Sequence, residues 1–251
     1  ASILGRISAV DGQWNRSRTA YLNQGWPEGS AIDEARLSAY GYQSMQQFRN
    51  WKWYRRLGAG PIVGLGGQQI DVYNWFLEAH PRSMMAMGGT DYWTQYQCYD
   101  NVLALYEYET QYGAVRASYR LHTSNGHRGY FEQFVGDEGL LEISESARSA
   151  VYREVRVPEQ KWYPWEQKQF IQHQHKIKNP NRKDEKSVLD VRIGSPPPRE
   201  YWQYNLAVSL RQPWHQAHLE NFFAAIRGRE PLNCPAELAY ATTASVLRIN
   251  S

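Results

Sequence analysis

The sequence predicts an α+β fold, a large and predominantly antiparallel β-sheet with helices on one face. Three observations predict it. Between Asn101 and Ser144 the chain alternates apolar and polar residues in short runs separated by tight-turn sequences. One helical stretch, opening at Pro61, is apolar over much of its girth and belongs against other protein rather than in water. Only three or four helices are visible in all, enough to cover one face of a sheet and leave the other open.

Taken in order, Ser2 to Trp14 alternates Ile3, Leu4, Ile7, Ala9 and Val10 with polar residues and reads as a strand. Residues 16–42, rich in Gly, Pro, Ser and Asn, show no period and read as a long loop. Ser44 to Arg56 reads as a helix, with Phe48, Trp51 and Tyr54 three apart. Pro81 to Gly88, Asn101 to Glu109, Gly113 to His122, Gly129 to Val135 and Leu140 to Ser144 read as consecutive strands. Val102, Ala104, Tyr106 and Tyr108 form one face of their strand, and Val115, Ala117, Tyr119 and Leu121 one face of the next. Gln111-Tyr112-Gly113 and Gly136-Asp137-Glu138-Gly139 are hairpin turns. Residues 157–200, rich in Pro, Lys and Gln, read as an insertion-like surface excursion with one strand around Val188 to Ile193. His215 to Arg227 is an amphipathic helix with Leu219, Phe222, Phe223 and Ile226 on one face. Gly228 ends it, and a last helix starts at Ala236.

The chain is organised around Asn50 to Leu77. Gly58, Gly60 and Pro61 break it, and Pro61 suits a first helical turn, where its missing N–H costs nothing. Ile62, Leu65, Gln69, Val72 and Phe76 then recur at helical spacing, as do Val63, Ile70 and Leu77. A different stripe holds Gly64, Gln68, Asp71 and Trp75, too polar for core and too rich in glycine for a plain solvent face.

Composition narrows the function. With 251 residues the chain holds one large domain or two small ones, 42% hydrophobic and 21% charged, as in a globular protein. A formal charge of +3 gives no electrostatic case for nucleic acid. No run approaches the ~18 apolar residues of a membrane helix. Cys98 and Cys234 are too few for a disulfide framework or a zinc site and read as two buried free thiols, with a single disulfide as the alternative. His173-Gln-His175 and His215-x-x-His218 have metal-like spacing, but no carboxylate or Cys completes a set, so no metal is expected. Lys176 to Lys186 is interrupted by Asp184 and Glu185 and reads as a solvated loop. Ten Trp and eighteen Tyr are the unusual element. Both types fill cores, and both stack on sugar rings while keeping a polar group for hydroxyls.

The stretch 50–77 resembles the second domain of the glucose–fructose oxidoreductase, inositol dehydrogenase and MocA family. Asn50 to Tyr54, Gly58 to Pro61, Gly66, Gln69, Asp71 and Trp75 match the family pattern. So do Gly129-Tyr-Phe-Glu-Gln-Phe-Val-Gly-Asp-Glu-Gly139, the run from Trp214 through His218, Leu219 and Asn221 to Phe222, and the turn Leu232-Asn-Cys-Pro235. The likeness covers most of the chain and is weakest at 16–42 and 157–205. It implies that residues 1–251 are the family's C-terminal domain, which binds substrate and assembles dimers or tetramers through its open sheet face. A sugar or polyol is the implied substrate, and NAD or NADP the implied cofactor of an N-terminal Rossmann domain absent from this chain. Ala1 begins without Met and Ser251 stops inside a helical pattern, so a fragment, or a mature chain whose first part is missing, is expected. A cytoplasmic location is expected, with export open because the native N-terminus is unseen.

The resemblance also assigns residues. The family's proton-transferring Asp and His fall on Gly64 and Gln68, neither of which can take a proton. Trp51, Trp53 and Tyr54 are implied wall aromatics, one of them stacking on ligand, with core packing as the alternative for each. Gln68 and Asp71 are implied substrate contacts, Asp71 alternatively a structural residue partnered by an Arg or a backbone N–H. His218 is a candidate displaced base. Gly64 and Gln68 thus mark either a sugar-binding surface without catalysis or a place where glycine permits close packing. The glycines at 58–60 and 64–67 lack the strand before them and the acidic residue after them that a dinucleotide turn requires, so no cofactor is expected in this chain. The function expected is the substrate-binding and oligomerising domain of an NAD(P)-dependent sugar or polyol oxidoreductase. The alternative is a catalytically degenerate carbohydrate-binding or assembly module.

Overall fold

The computed structural model describes residues 3–17, 23–144, 149–173, 202–207, 213 and 215–250. They form two compact units, one within Ala9–Glu132 and Gln212–Ser251, the other within Ala1–Ser8 and Gln133–Arg211. In chain order the elements are β1 (Ile7–Asn15), α1 (Glu34–Ala39), α2 (Met45–Arg49), α3 (Gly67–Leu77), β2 (Pro81–Gly89), β3 (Asn101–Thr110), β4 (Gly113–His122) and β5 (Tyr130–Gly136). Then follow β6 (Gly139–Ile143), β7 (Ala150–Arg153), α4 (Tyr163–Gln167), β8 (Ile171–His173), β9 (Trp202–Leu206), α5 (Gln216–Ile226) and α6 (Ala236–Leu247). Within the larger unit the strand order is β2-β3-β4-β1, and within the smaller β6-β7-β9-β8.

In the larger unit β2, β3 and β4 form an antiparallel meander, the hairpins the alternation predicts, and β1 adds to β4 in parallel. A long crossover separates β1 from β4, so nothing forces the antiparallel sense there. Val102, Ala104, Tyr106, Tyr108, Val115, Ala117, Tyr119 and Leu121 are buried, in the phase read from sequence. Helix α3 covers this face. The hydroxyls of Tyr119 and Tyr108 donate to the side chains of Gln69 and Asn74 at 2.8 and 3.0 Å, and that of Tyr73 to the carbonyl of Ser118 at 3.0 Å. Hydrogen bonding lets tyrosines line a helix–sheet interface. The opposite face instead presents Met85 across from Leu105 and Met87 across from Leu103, all four exposed. Beside them Glu107 pairs with Arg116 at 3.0 Å and accepts from Ser83 at 2.8 Å.

In the smaller unit β6, β7, β9 and β8 are antiparallel neighbours. Trp162 is buried against Tyr204, with ring centroids 5.0 Å apart, and Arg153 is buried over the Trp202 ring. Val157, Trp162 and Ile171 are buried too, so the first part of the expected surface excursion is core. Residues 174–200, with the expected strand at Val188 to Ile193, His175 and the basic run 176–186, lie outside the described residues, as does Trp214.

Three boundaries differ from expectation. The first strand starts at Ile7, after a turn in which Gly5 has a φ of 72°. The region 16–42 contains α1, capped by Asp33, whose carboxylate accepts from the Arg36 N–H at 2.8 Å. With Leu37 its single buried residue, that helix has no period to read. The helix expected over 44–56 stops at Arg49, because Asn50 turns inward. Its side chain accepts from Gln24 N–H at 2.7 Å and donates to the Gln24 and Gln46 carbonyls at 2.9 and 3.1 Å. Among the described residues no helix is long and apolar enough to cross a membrane, and no cluster of three or more His, Cys, Asp or Glu could hold a metal.

Candidate functional site

The site is built from the turn that follows Asn50. Trp51–Trp53 make a single 3-10 turn, and the Tyr54 carbonyl then accepts from the N–H groups of Leu57 and Gly58, both at 2.9 Å. Gly60 N–H returns to the Lys52 carbonyl at 2.7 Å. Closing so tight a loop requires glycine. A Cβ on Gly58 would sit 2.4 Å from the Lys52 Cα, and one on Gly60 2.5 Å from the Cys98 Cβ. Between them Ala59 holds a φ of 55°, a left-handed conformation that costs a non-glycine residue about 1 kcal/mol or more.

Pro61 then starts the organising helix, as read. Its first turn, Ile62–Gly66, is a π turn in which Gly67 N–H reaches back to the Ile62 carbonyl. Such wide turns are rare and concentrate at functional sites. The extra residue delays the rotation of the chain. The buried face therefore runs on through Gln69, Ile70, Tyr73, Asn74 and Leu77, and Phe76, expected in the apolar stripe, is turned outward.

Gly64 opens onto a groove of about 430 Å³, which also presents Trp51, Lys52, Arg55, Arg56 and Leu247 and the glycine turn. Among the described residues nothing lies within 4 Å of where a Gly64 Cβ would be, so glycine at this position serves no close packing among them. The glycine that does is Gly66, whose Cβ would come within 2.9 Å of the Tyr119 ring. Gln68, exposed one turn on, donates its amide to the Gly64 carbonyl at 3.5 Å. Asp71 is half-buried and accepts from the Thr242 hydroxyl of α6 at 2.8 Å. Its partner is thus a hydroxyl, neither the Arg nor the backbone N–H expected. The same hydroxyl oxygen accepts from Asn74 at 3.0 Å, so Thr242 ties α6 to α3.

The aromatics divide. Trp51 is 46% exposed and lines the groove. Trp53 is fully buried, stacked on Tyr96 with centroids 4.9 Å apart and planes 9° apart, and beside Trp93, which leaves it no surface for a ligand. Tyr54 packs edge-on against Tyr96, and burial raises the pKa of both phenols. His218 is exposed on α5 and is not part of the groove wall. The buried residue of its motif is Asn221, which donates to the Pro231 carbonyl at 2.9 Å and accepts from Asn233 N–H at 3.0 Å. Both cysteines are free. Cys98 is buried, its thiol pushed by that burial up to about 11, whereas Cys234, expected to be buried, is exposed. The Cys234 thiol is also raised, first by partial burial and then by the charge of Asp71.

Sequence reasoning passed over one group. Gln69, 2% exposed, has its amide nitrogen 2.9 Å from a Glu132 carboxylate oxygen and 3.1 and 3.2 Å from the Phe131 and Gln13 carbonyls, while its own oxygen accepts from Tyr119. A glutamine within an otherwise apolar stripe was the available signal, because a buried amide must be fully hydrogen-bonded. The network joins α3 to three strands directly beneath the Gly64/Gln68 face.

The glycines here do not fit a dinucleotide. Those at 58 and 60 are enclosed by Lys52, Trp51 and Cys98, and those at 64–67 lie within a helix preceded by a turn rather than a strand.

Comparison with known proteins gives the same fold. The crystal structure of an NAD-binding protein from Listeria innocua is similar with a TM-score of 0.56 at 12% identity, over 98% of this chain and 56% of that one. A UDP-N-acetylglucosamine 3-dehydrogenase from Acidithiobacillus ferrooxidans is similar with a TM-score of 0.53 at 10% identity, over 98% and 54%. The WlbA dehydrogenase from Bordetella pertussis, solved in complex with NADH and UDP-GlcNAcA, gives 0.50 at 10% identity, over 98% and 52%. The chain therefore spans about half the length of these relatives. No curated protein matches it by sequence. The family model for the GFO/IDH/MocA C-terminal domain matches residues 2–142, more than half of the chain. The chain belongs to the GFO/IDH/MocA C-terminal domain family.

Proposed function

We propose that this chain is the substrate-binding and oligomerising part of an NAD- or NADP-dependent sugar or polyol oxidoreductase in which the usual proton-transfer pair is lost. The observation that carries the reading is the Gly64 face. Gly64 opens on a groove beside the exposed Trp51, with Gln68 one turn on, and no described residue lies within 4 Å of where its Cβ would be, which supports an open binding face. An indole wall beside hydrogen-bonding side chains suits a sugar ring. Gln68 donates and accepts but takes no proton, and Asp71 is bonded to Thr242. Three solved relatives are described as NAD-binding, as a nucleotide-sugar dehydrogenase, and as a dehydrogenase holding NADH with UDP-GlcNAcA, which supports a sugar and NAD as the chemistry of the whole protein.

In this reading residues 1–251 are the C-terminal domain, and the nicotinamide binds elsewhere. The chain's own residues bind and orient the sugar. Trp51 carries the ring, whereas Gln68 and Asp71, expected as substrate contacts, lie outside the groove wall, Asp71 engaged by Thr242. Met85, Met87, Leu103 and Leu105 supply an apolar patch of the kind that marks an interface, and we assign it to pairing with a second copy. Loss of the base favours the second reading, a carbohydrate-binding or assembly module without activity.

Sugar binding separates these readings from a purely structural role. Titrating glucose and myo-inositol while following tryptophan fluorescence should give saturable quenching that Trp51→Ala abolishes. Unchanged fluorescence in the native chain, with no binding by calorimetry, would remove the sugar from both readings.

A further inference from the structure

We propose that the groove takes a sugar bearing an oxyanion, a phosphoryl or carboxylate group held by Lys52, Arg55 and Arg56 while the ring lies against Trp51. This rests on the sugar-binding reading above and specifies its substrate class.

Three cationic side chains line the groove and no carboxylate does. The imbalance is local, because the chain as a whole has 28 Lys and Arg against 25 Asp and Glu. One of the cations is also held in place. Arg55 donates its Nε–H to the Gln97 carbonyl at 3.2 Å, and its main-chain N–H to the Gln97 side chain at 3.3 Å. Its two terminal nitrogens have no partner among the described residues, and Arg56 makes no hydrogen bond or ion pair among them. The Lys52 carbonyl anchors the glycine turn by accepting from Gly60, and the Ala59 carbonyl accepts from the Asn250 side chain at 2.6 Å. The turn is therefore fixed from both sides, and the cations stand on a rigid scaffold.

The Arg55 and Arg56 guanidiniums, neighbours in sequence, repel one another when nothing lies between them. An oxyanion relieves that repulsion, and the planar fork of arginine matches phosphate and carboxylate oxygens two at a time. A volume of about 430 Å³ falls within the range of small-molecule sites and exceeds what a bare inorganic anion would fill. The other side chains lining the groove, Trp51, Leu57, Val63 and Leu247 among them, are apolar, which suits a ring face rather than a second charge.

The test is calorimetric titration of the native chain at low ionic strength. The probes are glucose 6-phosphate, glucuronate and UDP-glucose, with glucose and inorganic phosphate as references. At least one anionic sugar should bind tenfold or more tighter than both glucose and phosphate and weaken as salt is added. Arg56→Ala should weaken that probe by about tenfold or more, the worth of a charge-assisted hydrogen bond, with Arg56→Lys restoring part of the loss. Arg56 is exposed, so the variants should fold, which circular dichroism checks. The winning probe tells a sugar phosphate, a uronate and a nucleotide sugar apart. Glucose binding as tightly as every anionic sugar, with Arg56→Ala without effect, overturns this inference and leaves the sugar site standing. Phosphate alone matching glucose 6-phosphate overturns it as well. Failure of glucose and every anionic sugar to bind removes the sugar-binding reading along with it.

Discussion

The side-chain amide of Gln68 donates to the main-chain carbonyl of Gly64 across the π turn that opens the central helix. The two positions to which the family resemblance assigns proton transfer are thus joined by a bond that uses the backbone of one and the amide of the other. Neither offers a group that titrates near neutral pH.

Two glycines in the same turn should respond in opposite directions. Gly64→Ala adds a methyl group to empty space and removes unfolded-state freedom, so it should stabilise by about 0.5–1 kcal/mol. Gly66→Ala places its Cβ 2.8 Å from Ile62 Cδ1 and 2.9 Å from the buried Tyr119 ring, and should destabilise by about 1–3 kcal/mol. Urea unfolding of both variants checks the sign.

Gln69→Leu should be among the most damaging single changes in the central helix. It fits the apolar surroundings but leaves the Glu132 carboxylate and the Tyr119 hydroxyl without this partner in a buried site, a loss of about 2–3 kcal/mol. Tyr119→Phe removes one bond and should cost about 1 kcal/mol. Equal losses from the two, read by urea unfolding, would mean that Gln69 acts through the tyrosine alone.

The cysteines should separate cleanly. At pH 8 a disulfide reagent such as DTNB should modify the exposed Cys234 within minutes and reach Cys98 only on unfolding. The fold keeps the Cys98 thiol protonated to about pH 11, above the ordinary value of 9.0, so its contribution to stability is complete below pH 9. It is lost between there and about 11, as the unfolded chain ionises first. Two thiols reacting at one rate in the native protein would contradict the burial of Cys98.

If the open sheet face pairs copies of the chain, charge placed in its centre should separate them. Leu105→Lys and Met87→Glu, both at exposed positions, should lower the mass measured by sedimentation to that of one chain without lowering the unfolding midpoint of the monomer. A native chain already monomeric at high concentration, or variants that stay assembled, would place any interface elsewhere.

The sheet was legible because period-2 alternation in β3 and β4 needs no tertiary information, and its buried phase is the one the residues dictate. The organising stretch was legible through Pro61 and the glycines, whose conformational demands are local. Four features were hidden for physical reasons. The π turn shifts the helix face by one residue, which sends Phe76 outward, and no pattern in the sequence marks an inserted residue. Trp51 and Trp53 are alike in sequence, yet a single 3-10 turn sends one into the core and the other to the groove. Helix α1, with Leu37 alone buried, has too little buried surface to print a period. The Asp71–Thr242 bond joins residues 171 positions apart, a pairing that only the fold creates.

The most direct measurement is sugar-dependent reduction of NAD and NADP by the natural gene product, compared with the same protein carrying Gly64→Asp and Gln68→His. If this domain is the sugar-binding half of an oxidoreductase that has lost its proton-transfer pair, the native protein should show no rate above the blank, and the double variant should show a measurable one. A native protein that oxidises a sugar at a rate the double variant does not exceed would contradict the account, and the base would then have to be sought among groups outside the Gly64/Gln68 pair, His218 first.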